Sequence, residues 1–573
     1  MGLKAKIGAA SVLLVSCTVA CAIVHADNQA STGADLILLN GRFVTVNEGF
    51  RIAEAVAIRD GRFIAVGADN QVASKGDSGT QTLDLQGKTV IPGIVDGHNH
   101  LLLGGLNARG VDLSMVRSLD ELLSKLKERI AVTPKGRPVV SSSSWHESQL
   151  KRGRLPTRRD LDAISPHHPV VLLRGALQVV MNSSALRTAG ISKDTPDPVG
   201  GKIIRDPDTG EPTGEIISFG RRAVTLESVQ TVLPPPTREA KLTAIRRGMK
   251  ELNRVGITSI RDPAVTPQNM KLYEELRDAG ELTLRISMLL FPPSHAPLEV
   301  IQKSIDAWGV TSGFGDEMLR LDAVKLVMDG GFEGGLMSEP YVGRPDFFGI
   351  QAIPSEKFNF LVSYLNRQDW RVSVHCVGDR AIDLALDGYE RANRNNSVLD
   401  KRWTIEHAIL LRPHQLERIK SLGVAISAQH HTFVASSSMT KYWGTERAAA
   451  TMPVRMMLDA GLLVGGGTDW PVGPSNPFLA MSFWVTRDTR FGGTVGAEHS
   501  ITREEALRLL TVNAAHLTFE EKIKGSIEVG KLADLAILSD DYLSVPESKI
   551  RDIEVIATML DGKWVYKRGD LLH

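Results

Sequence analysis

Cysteine is scarce in this chain, and its placement matters more than its number. Of 3 cysteines, Cys17 and Cys21 fall within the first 26 residues, and only Cys376 lies beyond them. A chain shortened there can form no intrachain disulfide, which leaves a packed core and bound metal as sources of stability. An excess of either charge is also missing. With 67 Lys+Arg against 66 Asp+Glu there is no basic field to hold nucleic acid or an anionic membrane, so the expected partner is a small molecule. Internal repeats and low-complexity tracts are absent, which excludes a solenoid or a disordered linker protein.

Long apolar runs are missing except at the start. Lys4 and Lys6 precede an apolar stretch from Ile7 through Val24, and Val24-His25-Ala26 before Asp27 has the small-x-small form of a signal-peptidase site. The expectation is an export signal over residues 1–26 and a periplasmic or secreted destination. Leu14-Val15-Ser16-Cys17 also fits a lipoprotein-type site, and a retained anchor is the third reading. No stable membrane span is expected after processing, because the run is short and interrupted by Ser, Cys and Thr.

The 573 residues exceed the roughly 250 that a bare (β/α)8 barrel needs. Short β-rich runs from Leu36 to Gly67, broken by Asn40-Gly41 and Asp60-Gly61, read as hairpins, and Ala533 to Tyr566 repeats the style around Asp561-Gly562. Strands at both ends suggest a small β-sandwich made from residues 27–90 and 521–573. Between them, apolar strand-like runs alternate with helical stretches such as Leu119 to Ile130, Arg238 to Val255 and Pro413 to Leu422, the pattern of a parallel α/β barrel. Eight candidate strands end near His98, Ser144, Arg261, Val327, Val377, Ala408, Ala428 and Thr468, giving a TIM-type barrel over 91–520. The long gap at about 146–237 is expected to be an inserted lid-like subdomain.

Metal-competent residues collect at the ends of these strands. His98 and His100 follow a buried strand two residues apart, so both rings can reach one cation. Lys325 interrupts the apolar run Leu321 to Met328, where an unpaired ammonium is costly to bury. Reaction with CO2 would turn it into an anionic carbamate able to bridge two divalent cations. His375 and His407 each end an apolar strand, 32 residues apart, a fair length for one βα repeat. Asp469 follows the glycine-rich strand Gly461 to Thr468, where a carboxylate can bind metal and accept a proton from activated water. Such a rim is where barrel enzymes keep their chemistry. Trp145, Gln429 and His431 are expected to face the same mouth as substrate contacts.

Asp96-Gly97-His98-Asn99-His100, Val324-Lys325, His375-Cys376-Val377-Gly378-Asp379-Arg380, Ile405-Glu406-His407-Ala408 and Gly467-Thr468-Asp469-Trp470-Pro471-Val472 together resemble the amidohydrolase superfamily, most closely its type-3 group. Gly525 to Leu535 looks like the family's closing segment, and the resemblance spans nearly all of residues 34–568. It implies a binuclear centre, usually zinc, held by the four histidines, a carboxylated Lys325 and Asp469. It also implies hydrolysis of a non-peptide carbon–nitrogen bond, with Asp469 as the catalytic proton carrier. The other readings are a deaminase or cyclic-amide hydrolase on the same scaffold, or an inactive exported metal-binding protein; a homodimer is compatible with all of them. Gly175-Ala176-Leu177 stands where the group usually reads Asp-Gly-His, which implies a more apolar pocket.

Three decoys are set aside. Gly87-Lys88-Thr89 lacks the first glycine of a phosphate loop, Cys376 is expected to pack away from His375, and Ser141 to Ser144 has no nucleophile-elbow context.

Overall fold

The computed structural model describes Gly2 and residues 33–151, 153–175, 177–198, 201–218, 226–294 and 296–569. Apart from Gly2, the expected leader over 1–26 lies outside the described residues, as does Ala176.

Eight parallel strands form the central sheet: β1 (Ile94–Asp96), β2 (Ile257–Val265), β3 (Arg285–Leu290), β4 (Leu319–Val327), β5 (Val372–Cys376), β6 (Thr404–His407), β7 (Ala425–Gln429) and β8 (Val464–Gly467). They pair in that order, and the seam between β1 and β8 is closed just beyond the strand ends. Gly97 N–H donates to Gly466 O and Asp469 N–H to His98 O, both at 2.8 Å. Asp96 clamps the same seam: its carboxylate accepts from the Thr468 N–H at 2.9 Å, the Thr468 hydroxyl and the Asn99 amide. The sheet is thereby a TIM-type barrel, and its strands are buried on both faces, which is why they read as apolar runs rather than alternations.

The expected second strand, ending near Ser144, is a correction. Val139–Val140 pairs with Val170–Arg174 in a separate five-stranded sheet that also holds Gln178–Met181, Gly201–Arg205 and Pro212–Ser218. The missing barrel strand is β3, whose Arg-Ile-Ser-Met-Leu-Leu run carries no metal-competent residue at its end to mark it. The inserted sheet thus begins earlier in the chain than position 146. It rests on the C-terminal rim of the barrel: Ser144 Oγ donates to Pro471 O at 2.7 Å, and Arg174 pairs with Glu333 of the loop after β4 at 2.6 Å.

The helix Arg238–Arg254 leads into β2. Thr237 accepts the Ala240 N–H at 3.2 Å, a cap of about 1 kcal/mol. Buried Leu242, Ile245, Met249 and Leu252 recur at helical spacing and give it one apolar face. That face meets the helix Leu101–Asn107, where a Cβ on Gly105 would sit 1.9 Å from Ala244 O, so only glycine permits the approach.

The chain ends build two further sheets. Leu36–Leu39, Ala55–Arg59, Arg62–Gly67 and Gln81–Asp84 form one; Arg42–Val44, Ile52–Ala53, Thr89–Pro92, Leu535–Leu538, Val555–Leu560 and Lys563–Lys567 form the other. Leu38, Phe43, Val56, Leu535, Ile537 and Met559 belong to one shared core. Asp60-Gly61 and Asp561-Gly562 are hairpin turns with positive φ at both residues. Asn40-Gly41 is not: its flanking strands belong to different sheets, so the dipeptide is a corner.

Candidate metal centre

All six expected ligands lie at the C-terminal end of the barrel. His98 and His100 follow β1, His100 being the cap of the helix Leu101–Asn107. Lys325 is near the end of β4, His375 is the penultimate residue of β5, His407 ends β6, and Asp469 follows β8. Two backbone features aim them. Between β3 and β4 the register skips Asp322, a bulge that allows Asp322 and Lys325, three residues apart, both to meet charged groups inside the barrel. At the end of β6, His407 has φ 73°, and this left-handed turn redirects it so that Glu406 and His407, adjacent in sequence, both serve the site. Asp469 also has positive φ, 52°.

The carboxylate of Asp469 is the hub. Its Oδ1 lies 3.2 Å from His100 Nε2 and 3.6 Å from His98 Nε2, and its Oδ2 lies 2.8 Å from His431 Nε2. The ligand atoms of His98, His100 and Asp469 fall within 4.8 Å of one another, as do those of His407, His431 and Asp469. His375 joins through its ring, centred 4.6 Å from His407, while its Nε2 lies 3.2 Å from Gly330 O. Lys325 is 4% exposed, and its charge bears on both His98 and His375.

The electrostatics suit cation binding. Burial pushes His98 down to about 4 and His375 to about 3, and it holds His407 well below the usual imidazole range, so all three are neutral at pH 7 with a lone pair to offer. Burial lowers Lys325 to about 8 against the opposing pull of Glu406, which brings the nucleophilic free amine within reach of neutral pH. Burial would raise Asp469, but the surrounding imidazoles of His98, His100 and His431 outweigh it and keep the carboxyl ionised. Among the described residues Asp469 Oδ1 meets no well-aligned hydrogen-bond donor. A buried carboxylate oxygen facing two imidazole nitrogens is a donor set that fits a divalent cation.

Several contributors escaped the sequence reading. Glu406 Oε2 lies 2.6 Å from His98 Nδ1, and its other oxygen takes hydrogen bonds from Arg261 and Ser373. Burial would raise Glu406, but the Arg261 guanidinium holds it well below the usual range. Because a carboxylate only accepts, His98 must carry its proton on Nδ1, leaving Nε2 for a cation. Arg261 in turn pairs with Asp322, and Asp322 with Arg371, so a ladder of buried charge runs down the barrel from His98. Asp329 ties the loops after β4 and β5 by accepting the N–H groups of Leu336, Val377 and Gly378. The signal was present: Arg261 and Glu406 interrupt buried strands just as Lys325 does.

The three expected substrate contacts separate. Trp145 sits in the core of the insertion with its indole N–H on Leu173 O at 2.7 Å; the expectation rested on a barrel strand that Val139–Val140 does not form. Gln429 Oε1 lies 2.6 Å from His407 Nδ1, so it orients the His407 ring. His431 is in the site itself. Cys376 packs in the core, its thiol toward Ala381 O. A cavity of about 510 Å³, lined by Glu147, Gln178, Glu215, Lys441 and Tyr442 among others, opens beside the insertion and is not lined by the histidine cluster.

Comparison with known proteins agrees with this geometry. N-substituted formamide deformylase of Arthrobacter pascens is 28% identical over 541 residues, covering 93% of this chain and 98% of the relative. The protein LONG AFTER FAR-RED 3 of Arabidopsis thaliana is 31% identical, covering 93% and 92%. The crystal structure of an uncharacterized metal-dependent hydrolase from Pyrococcus furiosus superposes with a TM-score of 0.68 at 28% identity, over 89% of this chain and 100% of that one. The profile of the amidohydrolase family matches residues 81–566, a span that opens before β1 and runs past all six expected ligands on the rim, and the chain therefore belongs to that family, in its type-3 group.

Proposed function

We propose that this protein hydrolyses a carbon–nitrogen bond of amide type in a small molecule, using divalent cations held by His98, His100, Lys325, His375, His407 and Asp469. The observation that carries the reading is the buried Asp469 carboxylate set among the imidazoles of His98, His100, His407 and His431 on the barrel rim. The relative named N-substituted formamide deformylase supports cleavage of this bond class. Zinc, two ions per chain and carboxylation of Lys325 belong to the same proposal.

Bound divalent cations there supply Lewis acidity and lower the pKa of water toward neutrality. The chain's own residues do the rest. Glu406 and Gln429 fix the tautomers of His98 and His407, so each presents Nε2. Asp469 accepts the proton of the attacking water and returns it to the leaving nitrogen, the work of a general base and then acid. Phe332, whose ring lies 5.7 Å edge-on from His431, supplies an apolar wall and favours a substrate with an apolar substituent.

The test is elemental analysis of the purified protein together with a hydrolysis screen on N-formyl, N-acyl and carbamate compounds, with and without chelator. Close to two divalent ions per chain and a chelator-sensitive activity are expected; full activity without metal would overturn the proposal. Export belongs to it as well: the N-terminal sequence of protein recovered from the native host is expected to begin at or near Asp27, and recovery of unprocessed cytosolic chain would overturn that part.

A further inference from the structure

The two oxygens of Asp469 keep different company. Oδ1 faces His100 and His98, at 3.2 and 3.6 Å from their Nε2 atoms, whereas Oδ2 is 2.8 Å from His431 Nε2. His431 is the first residue of the helix His431–Trp443, one residue beyond β7, and its side chain is 4% exposed. Its ring is held from two sides, 5.0 Å from His407 and 5.7 Å from Phe332 between centroids. Its Nδ1 makes no hydrogen bond among the described residues. The 2.8 Å between His431 Nε2 and Asp469 Oδ2 is hydrogen-bond length, with the imidazole N–H as donor and the carboxylate oxygen as acceptor.

We propose that His431 is a positioning residue of the cation centre: its Nε2–H pins Asp469 Oδ2 and leaves Oδ1 alone to face the side of His98 and His100. The inference rests on the metal-centre reading above. Without this bond the carboxylate is free to rotate about Cβ–Cγ and offer both oxygens to one cation, because no other hydrogen bond to a carboxylate oxygen of Asp469 is formed among the described residues. Partners of this kind orient ligands and typically change metal affinity by about 10–100-fold when removed. The alternative has a geometric basis too, since the ligand atoms of His407, His431 and Asp469 lie within 4.8 Å of one another, so the experiment must separate a hydrogen-bond donor from a ligand.

Cobalt(II) loaded into the full-length protein separates them, read by metal content and by the visible absorption, which weakens as coordination number rises. His431→Gln keeps an N–H near the position of Nε2; His431→Phe keeps the ring volume and removes the donor. The parent and His431→Gln are expected to share cobalt content and spectrum. His431→Phe is expected to keep the content at saturation, with weaker absorption and about 10–100-fold lower affinity. His431→Ala repeats the measurement if His431→Phe does not fold. Loss of one cobalt in both the Gln and Phe variants would make His431 a ligand, and coincidence of all spectra and affinities would leave it no role; either overturns the inference alone. A parent protein that takes up no cobalt would overturn the metal-centre reading and the inference together.

Discussion

Glu406, the sequence neighbour of His407, holds His98: its Oε2 lies 2.6 Å from the Nδ1 of His98, 308 residues away in the chain. The same carboxylate neutralises Arg261, so one side chain both sets the tautomer of a ligand and closes a buried charge ladder. Glu406→Gln is expected to weaken metal binding by about 10–100-fold, measured by competition with a chelator. It also leaves Arg261 with Asp322 alone, and thermal denaturation should register a loss of up to about 3–5 kcal/mol.

Lys325 is buried where a free ammonium is disfavoured and its amine is lowered to about 8. Lys325→Ala is expected to lose at least one of the two ions by elemental analysis. Short carboxylic acids such as acetate or propionate should restore part of the metal by standing in for the carbamate. Full metal content in the unsupplemented variant would remove the bridging role.

The proposal gives Asp469 both metal binding and proton transfer, and an amide separates the two. Asp469→Asn keeps the shape and one oxygen but cannot hold a proton near neutral pH. Metal is expected to be largely retained while kcat falls by about 10² to 10⁴, the usual contribution of a general base. Parental turnover at full metal occupancy would make Asp469 a structural ligand only.

The ion pair between Glu147 and Arg174, both within the insertion, carries a pH dependence. Burial pushes Glu147 up, but the Arg174 guanidinium and its hydrogen bonds outweigh it and hold the carboxyl at about 2. A depressed carboxyl contributes stability that is present above the unfolded value near 4.5 and lost as pH falls toward 2. The melting temperature of the parent should therefore fall faster than that of Glu147→Gln between pH 4.5 and the acid limit, while Glu147→Gln starts lower at pH 7. Parallel curves would show that the pair adds nothing.

What could be read from the chain divides along physical lines. His98, His100, Lys325, His375, His407 and Asp469 were legible because each breaks or ends an apolar run, and polar residues there need a reason. β3 was not, because Arg285–Leu290 carries Arg285 and Ser287 while the wholly apolar Val139–Val140 reads as the better strand, and only tertiary pairing decides which enters the barrel. Gln429 and His431 were rightly placed at the rim, but whether a side chain there meets substrate or ligand depends on angstrom-scale geometry that spacing does not encode. Asn40-Gly41 failed as a hairpin because turn chemistry is local and its flanking strands diverge into different sheets.

The seam clamped by Asp96 and Thr468 joins residues 372 positions apart. At synthesis rates of about 5–20 residues per second, the ribosome makes Asp96 on the order of tens of seconds before its partner exists. The first two imidazoles are therefore born long before the carboxylate that faces them, and neither the barrel wall nor the Asp469 hub can be completed on a nascent chain that lacks its last third. Closure of the fold and completion of the centre are one late event. A chain cut short ahead of Thr468 and Asp469 keeps His98, His100, His375 and His407 yet has neither the seam nor the hub, so the cluster on the rim can assemble only after synthesis has passed Asp469.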